Sequence, residues 1–172
     1  MKQRLALFLA FCYCFLGLHA QSHKFKSLLN QNGLDQRFVY TIDQDNQGFL
    51  LLGTGDGLYK YNGFEFSKVY FNSGEASEFI TSSHKDSEGG LWFGHYNGKV
   101  SYYLNGNYNL VSSKFEINSR ITDITTSADK GVYVLSQTDG VLHIKPDKSQ
   151  ELIQGDLIDL ISFQIEVDQL GR

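Results

Sequence analysis

Few side chains in this 172-residue chain are of a type and spacing to do chemistry. Cys12 and Cys14 form a C-x-C pair, a spacing found in metal and redox sites. Beyond residue 20 the histidines are His23, His84, His95 and His143, and no pair has the spacing and acidic company of a metal centre. Aspartates recur as Asp45, Asp86, Asp129 and Asp168. Their D-x-x-G setting lacks the dense oxygen ligands of a calcium loop and fits a turn whose Asp caps its own backbone. The glycine-rich run Gly53-Thr54-Gly55-Asp56-Gly57 has the composition of a phosphate cradle. Behind it, however, Leu58-Tyr59-Lys60-Tyr61 alternates as a strand, where a phosphate loop needs a helix. No Ser/His/Asp trio and no paired acid and base stand out. The residues therefore predict no catalytic centre, no metal and no cofactor.

The elements that carry these residues read as strands and turns. Aromatic residues make up 14% of the chain, with 17 glycines and a single proline, a balance that favours sheet over helix. The net charge of −4 is opposite to the basic footprint of a nucleic-acid binder. The amino terminus is different in kind. Lys2 and Arg4 precede an apolar run from Leu5 to Leu18, and the small Ala20 stands before Gln21. This is the pattern of a secretory signal peptide over residues 1–20, cleaved between Ala20 and Gln21. The run falls short of the roughly 20 residues that span a bilayer. Phe11 and Tyr13 are too bulky for a lipoprotein signal, so Cys12 and Cys14 read as apolar filler of the leader. Cleavage leaves a cysteine-free chain with neither a disulfide nor a Cys-ligated zinc. It also removes two of 15 basic side chains, taking the net charge from −4 to −6.

An internal repeat explains the glycines. Asp45 to Gly53 aligns with Asp86 to Gly94, an offset of 41, and Asp56-Gly57 aligns with Asn97-Gly98 at the same offset. A third copy is weaker. Asp129-Lys130-Gly131 restarts it one residue short, and Thr138-Asp139-Gly140 matches Gly55-Asp56-Gly57. Asp168 to Arg172 reads as the opening of a fourth. In the first copy Val39–Ile42, Phe49–Gly53, Gly57–Tyr61 and Phe64–Val69 read as four strands, with Gly48, Gly57 and Asn62-Gly63 at the turns. Four short antiparallel strands per period of about 40–45 residues is the blade of a β-propeller. The expected fold is all-β: a partial propeller of about three four-stranded blades of roughly 42 residues, following the signal peptide. A lead-in covers 21–37, and the blades cover 38–80, 81–120 and 121–162, the last of them degenerate. A truncated fourth blade starts at 163–172. Since propellers close with about 4–8 blades, three are expected to be part of a larger ring.

The repeated residues Asp45, Gly48, Gly53, Gly57, Asp86, Gly89, Trp92, Gly94, Gly98, Asp129, Gly131 and Gly140 carry the pattern. They resemble the two-component regulator propeller family, whose repeat reads approximately D-x-x-G-x-L-W-x-G-T followed by G-L-x-x-Y/F-x-G. Asp86-Ser87-Glu88-Gly89-Gly90-Leu91-Trp92-Phe93-Gly94 matches best, and Asn32 to Tyr40 resembles the entry to a first blade, with Asp35 where Pro is usual. Leu51 stands for Trp in copy one; Val134, Ser136 and Gln137 stand for Trp, Gly and Thr in copy three. The resemblance implies the periplasmic start of a sensor exported across the inner membrane. Downstream it implies further blades, a Tyr-rich domain, a membrane helix and a histidine kinase, with dimerisation through those domains. This chain itself is then not an enzyme. The alternative is an exported interaction scaffold without signalling output.

Within the repeat, Trp92 is expected to pack between blades. His95-Tyr96-Asn97 is expected to form an exposed turn, and His95 and Tyr96 are the residues nominated to touch a periplasmic ligand. The aromatic band of Tyr59, Tyr61, Tyr102, Tyr103, Phe64 and Phe66 suits packing, with a glycan as the ligand class such rings would serve.

Overall fold

The computed structural model describes residues 33–34, 38–75, 77–155 and 161–168. The signal peptide with Ala20 and Gln21, most of the lead-in, and residues 169–172 lie outside them. Twelve strands form three four-stranded sheets, and each sheet runs in chain order with antiparallel neighbours. The first blade is β1 (Val39–Gln44), β2 (Leu50–Thr54), β3 (Gly57–Tyr61) and β4 (Phe66–Val69). The second is β5 (Ile80–Lys85), β6 (Leu91–His95), β7 (Val100–Leu104) and β8 (Asn107–Val111). The third is β9 (Ile121–Thr126), β10 (Val132–Ser136), β11 (Val141–Ile144) and β12 (Gln150–Ile153). β5 opens at Ile80, one residue inside the span expected for the first blade. The opening strands β1, β5 and β9 lie side by side, so they are the inner strands of a partial propeller.

The sheets fold this way because their apolar residues alternate on strands too short to bury both faces alone. The core therefore sits in the seams. Leu51, Leu58 and Phe71 of the first blade meet Ile80, Leu91, Phe93, Tyr103 and Tyr108 of the second. Val100 and the partly buried Trp92 of the second meet Ile121, Ile124, Val132, Val134, Leu142 and Ile144 of the third. Each such side chain contributes about 1.5–3 kcal/mol when fully buried. On the far side of blade one, Leu34 of the lead-in packs on Leu52, Tyr59 and Phe66.

Two glycines set the spacing of the blades. A Cβ on Gly53 would lie 2.5 Å from Ile80 Cγ2 and 2.6 Å from Thr41 Oγ1. A Cβ on Gly94 would lie 2.4 Å from both Ile121 Cγ2 and Ser82 Oγ. The inner strand of the next blade thus rests on a bare backbone.

The third copy has a different register from the one expected. Asp45 N–H donates to the Phe49 carbonyl at 3.0 Å, Asp86 N–H to Gly90 at 2.9 Å, and Ser127 N–H to Gly131 at 3.0 Å. The period is 41 throughout, and Ser127, not Asp129, occupies the capping position. No residue is deleted: the left-handed turn position of Gly48 and Gly89 is held by Lys130 with φ 68°. Gly131 therefore matches Gly90, Tyr133 matches Trp92, and Leu135 matches Gly94. The 41-residue register is masked because Asp129 lies two positions past the site of Asp45 and Asp86, and Gly131 one position past the site of Gly48 and Gly89. In the same register Asp168 follows Ser127 by 41, and Ser162 stands where Ile80 and Ile121 stand. Ser162 N–H donates to the Gln137 carbonyl at 3.1 Å, so 161–168 runs along blade three as an inner strand would.

Candidate functional site

Each inner strand carries a bulge at the same place. The pairing of β1 with β2 shifts between Val39 and Thr41, and that of β5 with β6 between Ile80 and Ser82. In blade three it shifts where Ser136 meets Ile121 and Leu135 meets Asp123. The extra residues are Tyr40, Thr81 and Thr122, spaced by 41. A bulge takes one residue out of the ladder and re-aims it, and bulges gather beside functional sites. Here all three line one open cleft of about 310 Å³, with Phe79, Tyr96, Arg120 and Ile121.

The cleft has an aromatic wall. Tyr40 and Phe79 rings lie 4.8 Å apart, and Phe79 stacks on Tyr96 at 5.3 Å with 19° between planes. Tyr40 is 49% exposed and Tyr96 57%, so the row faces solvent. Tyr96 N–H donates to the Phe79 carbonyl at 2.9 Å, which ties the β6–β7 turn to the start of β5. Opposite stands Arg120, at the position of Phe38 and Phe79 in the earlier blades. Its carbonyl accepts from Gln137 N–H at 2.9 Å, and its guanidinium carbon lies 5.8 Å from the Phe163 ring. Arg120 Nε is buried without an acceptor.

The two nominated ligand residues part company. Tyr96 lines the cleft. His95 does not form an exposed turn: β6 runs through it, and the strand's alternation turns the side chain inward, where it is 1% exposed. Nδ1 lies 3.2 Å from the Glu78 carbonyl and Nε2 2.8 Å from Ser101 Oγ, which donates to Tyr108 Oη at 3.0 Å. Burial, opposed by the Glu78 carbonyl and aided by Lys99, pulls the His95 pKa down to about 4. His95 thus stays neutral and holds the blade together. The cavity it borders, about 40 Å³ beside Glu75, Glu78 and Lys99, has room for little more than water.

Of the four recurring aspartates, Asp45 and Asp86 cap their turns as expected. Asp45 Oδ1 accepts from the N–H groups of Gln47 and Phe49, and Asp86 Oδ1 from those of Glu88 and Gly90. The free oxygen does a second job. Asp86 Oδ2 accepts from Trp92 Nε1 at 2.9 Å and Tyr102 Oη at 3.1 Å, orienting the Trp whose ring meets Tyr102 at 4.7 Å. Burial and this carboxylate push the Tyr102 pKa up to about 12.

One trio escaped the sequence. Ser127, Asp129 and His143 meet in blade three, brought together by the hairpin β10–β11 rather than by spacing. Ser127 Oγ and Asp129 Oδ1 both lie 3.2 Å from His143 Nε2, and Ser127 also bonds Asp129 directly. A relay needs the nucleophile and the carboxylate on opposite ring nitrogens. Here one nitrogen takes both, so the trio is a turn clasp. The Ser127 and Gly131 hydrogen bonds, with His143 adding less, hold the Asp129 pKa down to about 2. Among the described residues no group of three His, Cys, Asp or Glu is placed to hold a metal ion. Nor, among them, is any helix long and apolar enough to cross a membrane.

No family model matches the chain. A stretch of 73 residues is 41% identical to a histidine kinase, P4, of Formosa agariphila, spanning 41% of this chain and 5% of the kinase. The architecture matches the extracellular domain of a protein from B. thetaiotaomicron assigned as a hybrid two-component system. That match has TM-score 0.67 and 20% identity over 83% of this chain and 20% of that one. The fold is a partial β-propeller. A second such extracellular domain from the same organism aligns with TM-score 0.64 and 22% identity over 81% of this chain and 21% of the other. A virginiamycin B lyase of Staphylococcus aureus shares the general fold at TM-score 0.52 and 14% identity, covering 69% of this chain and 41% of the lyase. This propeller chain thus spans about a fifth of the extracellular domains it resembles and a twentieth of the kinase.

Proposed function

We propose that this chain is the first part of an extracytoplasmic ligand-sensing propeller in a two-component signalling protein. Residues 1–20 direct its export to the periplasmic side of the inner membrane, with cleavage between Ala20 and Gln21. Further blades of the same protein close the ring, and the membrane anchor, kinase and dimer contacts belong to its other domains. The chain itself performs no catalysis. The observation that carries the reading is the cleft at the three bulges, because only an assembly of blades creates it. Its exposed aromatic row and few polar groups have the make-up of a small-ligand site, and stacked rings suit a glycan.

The test is the reading frame beyond the Arg172 codon. The account expects further D-x-x-G-x-L-W-x-G blades, one apolar span and a histidine kinase. A frame that leads from the blades to a sorting or anchoring domain with no output would overturn the sensor and leave an interaction scaffold.

A further inference from the structure

Phe38, Phe79 and Arg120 occupy one register position in three successive blades, just ahead of β1, β5 and β9. Two are rings and the third is a cation. The substitution falls where Tyr40, Phe79 and Tyr96 already supply the apolar wall of the cleft. A guanidinium offers five N–H donors and accepts nothing. Arg120 Nε has no acceptor, and none of the seven side chains lining the cleft is acidic. Its guanidinium carbon lies 5.8 Å from the Phe163 ring, an aromatic neighbour that offers no hydrogen-bond acceptor in the plane of the fork. Burying a donor without a partner costs free energy that a ligand acceptor would recover.

Resting on the sensor reading above, we infer that Arg120 is the specificity-determining residue of the cleft. The ligand it selects is a sugar bearing a carboxylate: a uronic-acid oligosaccharide. The pyranose ring lies on the Tyr96–Phe79 face, where its C–H groups meet the aromatic ring. The carboxylate takes the guanidinium edge, the planar fork that fits a carboxylate with two parallel hydrogen bonds. Thr81 and Thr122 also line the cleft; their hydroxyls donate to the Ile121 and Leu135 carbonyls, which leaves the oxygens to accept from a sugar hydroxyl. A neutral sugar satisfies the aromatic wall and leaves Arg120 as it is, so the charge decides between ligands that stack equally well.

The experiment is calorimetric titration of the exported full-length protein with trigalacturonate and with galactotriose. Trigalacturonate is expected to bind at least tenfold more tightly, with an affinity that falls as salt rises. Arg120→Gln should bring the ratio of the two affinities from at least tenfold down to about one. Arg120→Lys should recover part of it, since charge returns without the fork. Tyr96→Ala should weaken both sugars. Equal binding of the two sugars, unaltered by Arg120→Gln, overturns the carboxylate assignment and leaves the glycan sensor standing. Binding of neither sugar overturns both the carboxylate and the glycan. Thermal unfolding of each variant alongside the wild type separates lost binding from lost fold.

Discussion

The Tyr103 hydroxyl of the second blade donates to the Asp45 carboxylate of the first across 3.3 Å. Lys60 completes the latch, its Nζ 3.3 Å from Asp45 Oδ2, 3.2 Å from Tyr103 Oη and 3.8 Å above the Phe49 ring. Asp86 stands at the same register position but spends its second oxygen within its own blade. One turn residue thus locks the first seam and orients a core tryptophan in the next.

Removing the cation should show what the latch contributes. Burial raises the Asp45 pKa, but the Phe49 and Gln47 amides and Lys60 together hold it below the usual value. Lys60→Met strips away the Lys60 share and leaves a carboxylate that is 5% exposed. The expected cost is about 1–3 kcal/mol, discounted because Lys60 itself is partly exposed. Tyr103→Phe should cost about 1 kcal/mol. Denaturant unfolding of the two single variants and the double variant measures the coupling.

Gly94→Val should be worse than either. The new side chain would need the space of Ile121 and Ser82, so the second seam must open or distort. Overpacking of this kind costs about 1–3 kcal/mol, and more where backbone is displaced. Gly155→Val, where nothing lies within 4 Å of a Cβ and the backbone is not left-handed, is the control for an added side chain without a clash. Equal melting temperatures for the two variants would contradict the seam geometry.

Trp92 is the chain's single tryptophan and lies in the seam between the second and third blades. Its emission therefore reports that seam. Trp92→Phe should cost about 1–2 kcal/mol through the lost bond to Asp86. Trp92→Ala should cost about 3–5 kcal/mol through the cavity. Fluorescence and far-ultraviolet dichroism should give coincident unfolding curves if the seam and the sheets melt together.

Acid should weaken the fold through His95. Its folded pKa of about 4 lies below the ordinary histidine value of 6.5, so the unfolded chain binds more protons between those values. Its contribution is complete above pH 6.5 and is lost as pH falls toward 4. The upper bound on that loss is about 3 kcal/mol. His84, at the end of β5 with Nε2 2.7 Å from Thr126 Oγ1, is lowered by burial and acts in the same direction. His95→Gln should flatten the stability profile between pH 6.5 and 5; an unchanged slope would assign the acid sensitivity to His84 and the carboxylates.

The blades were legible because turn chemistry is local. Asp45 and Asp86 cap their own backbone, Gly48 and Gly89 take positive φ, and these residues recur at fixed spacing whatever surrounds them. The third blade was half legible for the same reason reversed. Lys130 adopts the left-handed turn and Ser127 stands at the position of Asp45 and Asp86, so neither marker residue holds its usual place. The cleft was not legible beyond Tyr96. It is made by bulges at Tyr40, Thr81 and Thr122, and a bulge is a property of strand pairing that composition does not display. His95 looked like a loop residue because Gly94 and Gly98 flank it, yet the hydrogen-bond register keeps it in the sheet. The Ser127–Asp129–His143 clasp depends on a hairpin that brings residues 14 and 16 positions apart together.

Hydrogen–deuterium exchange on the exported full-length protein, with saturating trigalacturonate or galactotriose, tests the claim that the three bulges build the sensing site. The account predicts slowed exchange in 39–42, 79–82, 95–98 and 120–123 together, with β4, β8 and β12 unaffected. Protection confined to those outer strands, or to blades beyond this chain, would contradict it.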